Sequence, residues 1–99
     1  MNDIELVKKY LSGDNKSFDM LYEKYADKIY KFIYLKTSNV EVAQDIVSEV
    51  FLSVLDNIDS FNLDENSSFN SWIYRIAYNK IVDFYKKSEK QKPMKYEII

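Results

Sequence analysis

The sequence predicts an all-α domain of four helices. Three observations predict it. A single glycine (Gly13) and a single proline (Pro93) among 99 residues are too few turn-formers for a hairpin-rich sheet. Apolar residues make up 46% of the chain and recur at three- and four-residue spacing rather than in alternation. Each apolar stretch is also preceded by an Asn, Asp or Ser able to cap a helix.

The first helix is expected from Asp3 to Ser12, capped by Asn2 or Asp3 and stopped by Gly13, with Ile4, Val7 and Leu11 on its apolar face. Asp14 or Asn15 then caps a longer second helix that ends near Lys36. Phe18, Leu21, Tyr22, Tyr25, Ile29, Phe32 and Ile33 form its buried stripe. Ser38 or Asn39 caps a third helix with Glu41 in its first turn, where the helix dipole favours an acid. Its core stripe reads Ala43, Ile46, Val47, Val50, Phe51, Val54, Leu55 and Ile58.

At 100° per residue, Asp45, Glu49, Leu52 and Asp56 fall on one line of that helix, away from the core stripe. Such a line suits a contact surface, and it equally suits a solvated face carrying one leucine. A polar loop, 60–68, follows, with Phe61 and Leu63 as its large apolar groups. Ser67 or Ser68 caps the fourth helix, expected from Phe69 to Lys87. Its buried side holds Phe69, Ile73, Ile76, Ala77 and Phe84, and a second line carries Trp72, Arg75, Asn79 and Lys86. One domain over 1–88 and a Lys-rich, linker-like tail over 89–99 account for the chain.

Without Cys or His, disulfides, thiolate zinc sites, thiol nucleophiles and imidazole acid–base chemistry are excluded. No Gly-rich phosphate loop is present, and Asp45 with Glu49 has no matching pair for a cation. The expected class is therefore a binding domain, not an enzyme, with no cofactor and no metal. No apolar run approaches membrane-spanning length and the N-terminus lacks a signal-peptide pattern, so the expected location is the cytoplasm.

The net charge of −2 conceals a partition. Residues 37–68 hold seven acids and no Lys or Arg, whereas 69–99 hold seven basic groups against three acids. Two such surfaces suit two partners. Arg75, Asn79 and the Lys86-Lys87 pair offer phosphate anchors and an amide for base edges. Neighbouring aromatics could stack on unpaired bases. Trp72 by itself fits a partly buried core position as well as a stacking platform.

The run Ala43-Gln44-Asp45-Ile46-Val47-Ser48-Glu49-Val50-Phe51, then Ile58-Asp59-Ser60-Phe61, then Phe69 through Asp83 resembles region 2 of bacterial sigma-70 factors. The likeness is strongest to the extracytoplasmic-function (ECF) group and covers about residues 1–88. It implies binding to the clamp helices of the core RNA polymerase β′ subunit, through Gln44, Asp45, Ser48, Glu49 and Leu52. It also implies recognition and melting of the −10 promoter element on the single-stranded non-template strand. There, Phe61, Asn62, Ser67 and Ser68 would form a base-capture loop, with Trp72, Arg75, Asn79, Lys86 and Lys87 along the DNA. An anti-sigma factor is a further implied partner.

Three features depart from the family pattern. Ser48 stands where Gln is usual, Asp64 and Glu65 enlarge and acidify the loop, and Lys86-Lys87 stand where Arg is common. The tail ends without region 4, the domain that reads the −35 element. The expectation is an excised region 2, the alternative a natural half completed by a partner. A second function class is a sigma-like interaction module without DNA recognition, which would tolerate loss of Arg75 and Asn79.

Overall fold

The computed structural model describes residues 1–63 and 66–91. Its elements are α1 (Asp3–Leu11), α2 (Asn15–Thr37), α3 (Val40–Asn57), a 3₁₀ turn (Ile58–Ser60) and α4 (Phe69–Gln91). The all-α class and the four helices are as the sequence predicts, and the capping residues explain the boundaries. Asn2 Oδ1 accepts the Glu5 amide at 2.8 Å, Asp14 Oδ1 the Lys16 amide at 3.1 Å, and Asn39 Oδ1 the Val42 amide at 3.0 Å. Ser68 Oγ accepts the Ser71 amide at 3.1 Å at the start of α4. Of each pair of candidate caps, one is thereby selected. Ser38 instead closes α2 in the left-handed region (φ 55°), its amide on the Tyr34 carbonyl.

Gly13 stops α1 at φ +109°, a conformation costly for a residue with a Cβ. The chain reverses there and lays α1 on α2, which in turn packs on α3 and α4, while α3 and α4 pack on each other. Between them lies one core, running from Leu6 and Val7 through Leu21, Tyr25, Ile29 and Ile33 to Ala43, Ile46, Val50, Val54, Ile73, Ala77 and Ile81.

The structure corrects several expected details. Leu11 is exposed, because the buried arc of α1 centres on Leu6 and Val7. Leu55 lies at the edge of the α3 arc and is 38% exposed. Tyr22 lays its ring against Phe51, with centroids 4.7 Å apart, and leaves much of it in water. Ile81, one turn beyond Ala77 and two beyond Ile73, joins the core, whereas Ile76 and Phe84 are half-buried. Helix α4 continues to Gln91, so residues 89–91 of the expected tail are helical, and Pro93 follows two positions later. Residues 92–99, with Asp64 and Glu65 of the loop, fall outside the described residues.

Candidate nucleic-acid and partner interface

The first turn of α4 meets the end of the 3₁₀ turn in an aromatic cluster. Phe61 is buried on the ring edge of Phe69 (centroids 5.7 Å, 77°) and lies 5.0 Å from Trp72, itself 5.6 Å from Phe69. The spacing of Phe69 and Trp72, three residues apart, places both rings on adjoining faces of α4, and Phe61 fills the gap between them. Above this cluster opens a cleft of about 340 Å³, lined by Ser60, Phe61, Asn62, Ser67, Ser68, Ser71, Trp72 and Arg75. Aromatic surface below, hydroxyls along one rim and one guanidinium suit a planar, polar-edged ligand joined to an anionic backbone.

Six of the nine residues that the sequence marks for DNA meet in this cleft. Phe61 contributes from a buried position, as part of the floor rather than as a projecting ring. Trp72 is half-buried: it packs against the core and also lines the cleft. Asn79 is exposed one turn beyond Arg75 on the same face. Ser60 and Ser71 line the cleft without having been singled out in the sequence. The position of Ser71 one residue before Trp72 was the available signal.

Lys86 and Lys87 lie elsewhere. Lys86 lies eleven positions beyond Arg75 on the helix, roughly 16 Å at 1.5 Å per residue. With Lys80, Asp83 and Phe84 they form one wall of a second cleft of about 720 Å³. The opposite wall is α3, with Val42, Asp45, Ile46, Ser48 and Glu49. Antiparallel packing of α3 and α4 thus sets the end of the basic helix beside the start of the acidic one. The charges that the sequence separates into two surfaces share this cleft. Gln44 and Leu52, the other two residues marked for polymerase, are exposed on α3, with Leu52 at 61%. The Ser48 hydroxyl donates to the Gln44 carbonyl at 3.2 Å, which leaves its lone pairs to accept from a donor. Among the described residues no group of three or more acids, Cys or His could hold a metal ion.

Beneath the first cleft the aromatic cluster continues into the core. Tyr25, 1% exposed, lies 5.4 Å from Phe69, and its hydroxyl donates to Asp3 of α1, whose carboxylate also pairs with Lys24 at 2.7 Å. Burial, and then the bond to and charge of Asp3, hold the Tyr25 phenol well above its ordinary pKa.

The sigma-70 region 2 family profile matches residues 21–91. Among whole proteins the chain is 39% identical over 90 residues to the ECF RNA polymerase sigma factor SigW of Bacillus subtilis, covering 91% of this chain and 46% of that one. It is 34% identical to the ECF sigma factor BldN of Streptomyces coelicolor (86% of this chain, 32% of that). To the ECF sigma-E factor of Escherichia coli it is 35% identical (80% and 40%). The chain therefore spans less than half the length of these relatives. A solved structure described as an engineered region 2 of sigmaE in complex with GTAAAA superposes with a TM-score of 0.82 at 27% identity, over 92% of this chain and 93% of that one. The chain belongs to the sigma-70 region 2 family, a non-enzymatic part of sigma factors.

Proposed function

We propose that this domain docks on the β′ clamp helices of core RNA polymerase and captures a base of the −10 promoter element during melting. The docking face is Gln44, Asp45, Ser48, Glu49 and Leu52. The base enters the cleft over Phe61 and Trp72, rimmed by Asn62, Ser67 and Ser68, while Arg75 and Asn79 follow the backbone. Lys86 and Lys87 add charge farther along α4.

The observation that carries this reading is the convergence of an aromatic floor, a hydroxyl rim and a guanidinium on one cleft. Taking a base out of its stack costs free energy that stacking on rings can offset. The related region 2 structure holds GTAAAA, which supports a short single strand as the ligand here. On the other face, exposed carboxylates and an acceptor hydroxyl beside Leu52 fit a partner helix with basic residues around an apolar one. The anti-sigma partner implied by resemblance has no surface assigned to it. Work beside polymerase would be cytoplasmic work; no helix among the described residues is long and apolar enough to cross a membrane.

The test is paired binding. A β′ clamp-helix fragment and a single-stranded oligonucleotide carrying GTAAAA are each titrated against wild type, Asp45→Lys/Glu49→Lys and Arg75→Ala/Asn79→Ala. The reading expects the acidic pair to abolish fragment binding without weakening the oligonucleotide, and the α4 pair to weaken the oligonucleotide about tenfold while sparing the fragment. If the α4 pair leaves wild-type behaviour intact while the acidic pair abolishes it, the domain is an interaction module without DNA recognition.

A further inference from the structure

The cleft rests on a buried phenol whose direction is set from another helix. A carboxylate only accepts, so Tyr25 must donate to Asp3. Asp3 is itself held by Lys24, one residue before Tyr25 on α2. The phenol therefore has a fixed partner on α1, and its ring plane is fixed with it. That ring lies 5.4 Å from Phe69 at 54°, and Phe69 contacts both Phe61 and Trp72. The series runs without interruption from Asp3, near the start of the chain, to the floor of the cleft. Asp3 precedes the stretch matched by the family profile, which begins at residue 21.

We propose that Asp3 and Tyr25 are positioning residues for the DNA cleft: α1, through the Tyr25 ring and Phe69, sets where Trp72 and Phe61 stand. The inference rests on reading that cleft as the base-capture site. Interiors are close-packed, so a displaced ring displaces its neighbours instead of leaving a void. A buried hydroxyl deprived of Asp3 must also find another acceptor or donor. The hydroxyl donates to Asp3, so the helix that orients it is α1 and not α4, which carries Phe69. Loss of Asp3 thus frees the phenol to shift its ring against Phe69, on the helix that also carries Trp72.

Trp72 is the single tryptophan of the chain and reports the cleft directly. The experiment records its emission maximum and acrylamide quenching without DNA, at 25 °C where the variants are folded by far-ultraviolet circular dichroism. Oligonucleotide and clamp-fragment affinities are measured alongside. Asp3→Ala and Tyr25→Phe are each expected to shift the emission and raise the quenching constant. They are also expected to weaken the GTAAAA oligonucleotide by about fivefold while the clamp fragment binds as wild type does. Asp3→Glu, which keeps the carboxylate, is expected to recover part of both signals.

A merely structural role lowers the melting temperature and leaves emission and quenching of the folded protein unchanged, and that result overturns the proposal. Should Tyr25→Phe fail to fold, Asp3→Ala decides, because it leaves the phenol ring in place. If wild type does not bind the oligonucleotide, the base-capture reading fails by itself. The tryptophan signals then still show whether α1 sets the cleft.

Discussion

The Tyr85 hydroxyl donates to the Lys36 carbonyl at 2.6 Å, tying the last turn of α2 to the far end of α4 across 49 positions of sequence. The final carbonyls of a helix lack partners within it, and here a side chain from another helix supplies one. Tyr85→Phe keeps the ring and removes that bond. It is expected to lower stability by about 1 kcal/mol in urea unfolding, with faster amide exchange in the last turn of α2. Unchanged exchange there would show that the bond contributes nothing.

The Tyr25 phenol predicts an alkaline effect of definite sign. Its folded pKa is raised, so the fold favours the neutral form. The stabilisation is complete below about pH 10, where the tyrosine of the unfolded chain is neutral too, and is lost as pH rises through the folded value. Wild type is therefore expected to lose melting temperature above about pH 10 more steeply than Tyr25→Phe. Parallel curves would contradict it.

Gly13 tests the reversal between α1 and α2. Its φ is +109°, and apart from its chain neighbours no heavy atom lies within 4 Å of the place a Cβ would take, so alanine there meets only a backbone penalty. Gly13→Ala is expected to cost about 1–2 kcal/mol, read by thermal unfolding, with oligonucleotide affinity unchanged when measured well below the melting temperature.

The cleft shared by α3 and α4 predicts a salt-dependent gain. Asp45 and Glu49 face the wall that carries Lys86 and Lys87, so Asp45→Asn with Glu49→Gln raises the positive potential on the DNA side. Oligonucleotide binding is expected to tighten about threefold at low ionic strength and to return to wild type at several tenths molar salt. A gain that persists at high salt would point to a cause other than charge.

Much of the fold was legible because its determinants are local. Asn2, Asp14, Asn39 and Ser68 each cap a helix with their own side chain, and a cap is visible within four residues of sequence. The residues around the first cleft were legible for the same reason, since 61–75 bring most of them together within a single turn-and-helix unit. What escaped depends on partners distant in the chain. The burial of Ile81 and the exposure of Leu55 follow from how α3 and α4 lie on one another, which spacing along one helix does not specify. The Asp3–Tyr25 bond spans 22 positions, and neither residue type announces it. The meeting of Lys86 and Lys87 with Asp45 and Glu49 was hidden likewise: a charge count treats as separate what antiparallel packing makes adjacent.

That adjacency has a thermodynamic corollary. On the proposed reading, a basic polymerase helix would neutralise Asp45 and Glu49 and a phosphate would neutralise Lys86 and Lys87, so both would act on one shared electrostatic field. Their binding free energies are then linked. Whatever factor the protein partner adds to the affinity for nucleic acid, nucleic acid adds to the affinity for the protein partner. A domain of this size would need no moving part to make the two events cooperative, because each ligand would screen the other's counter-charge.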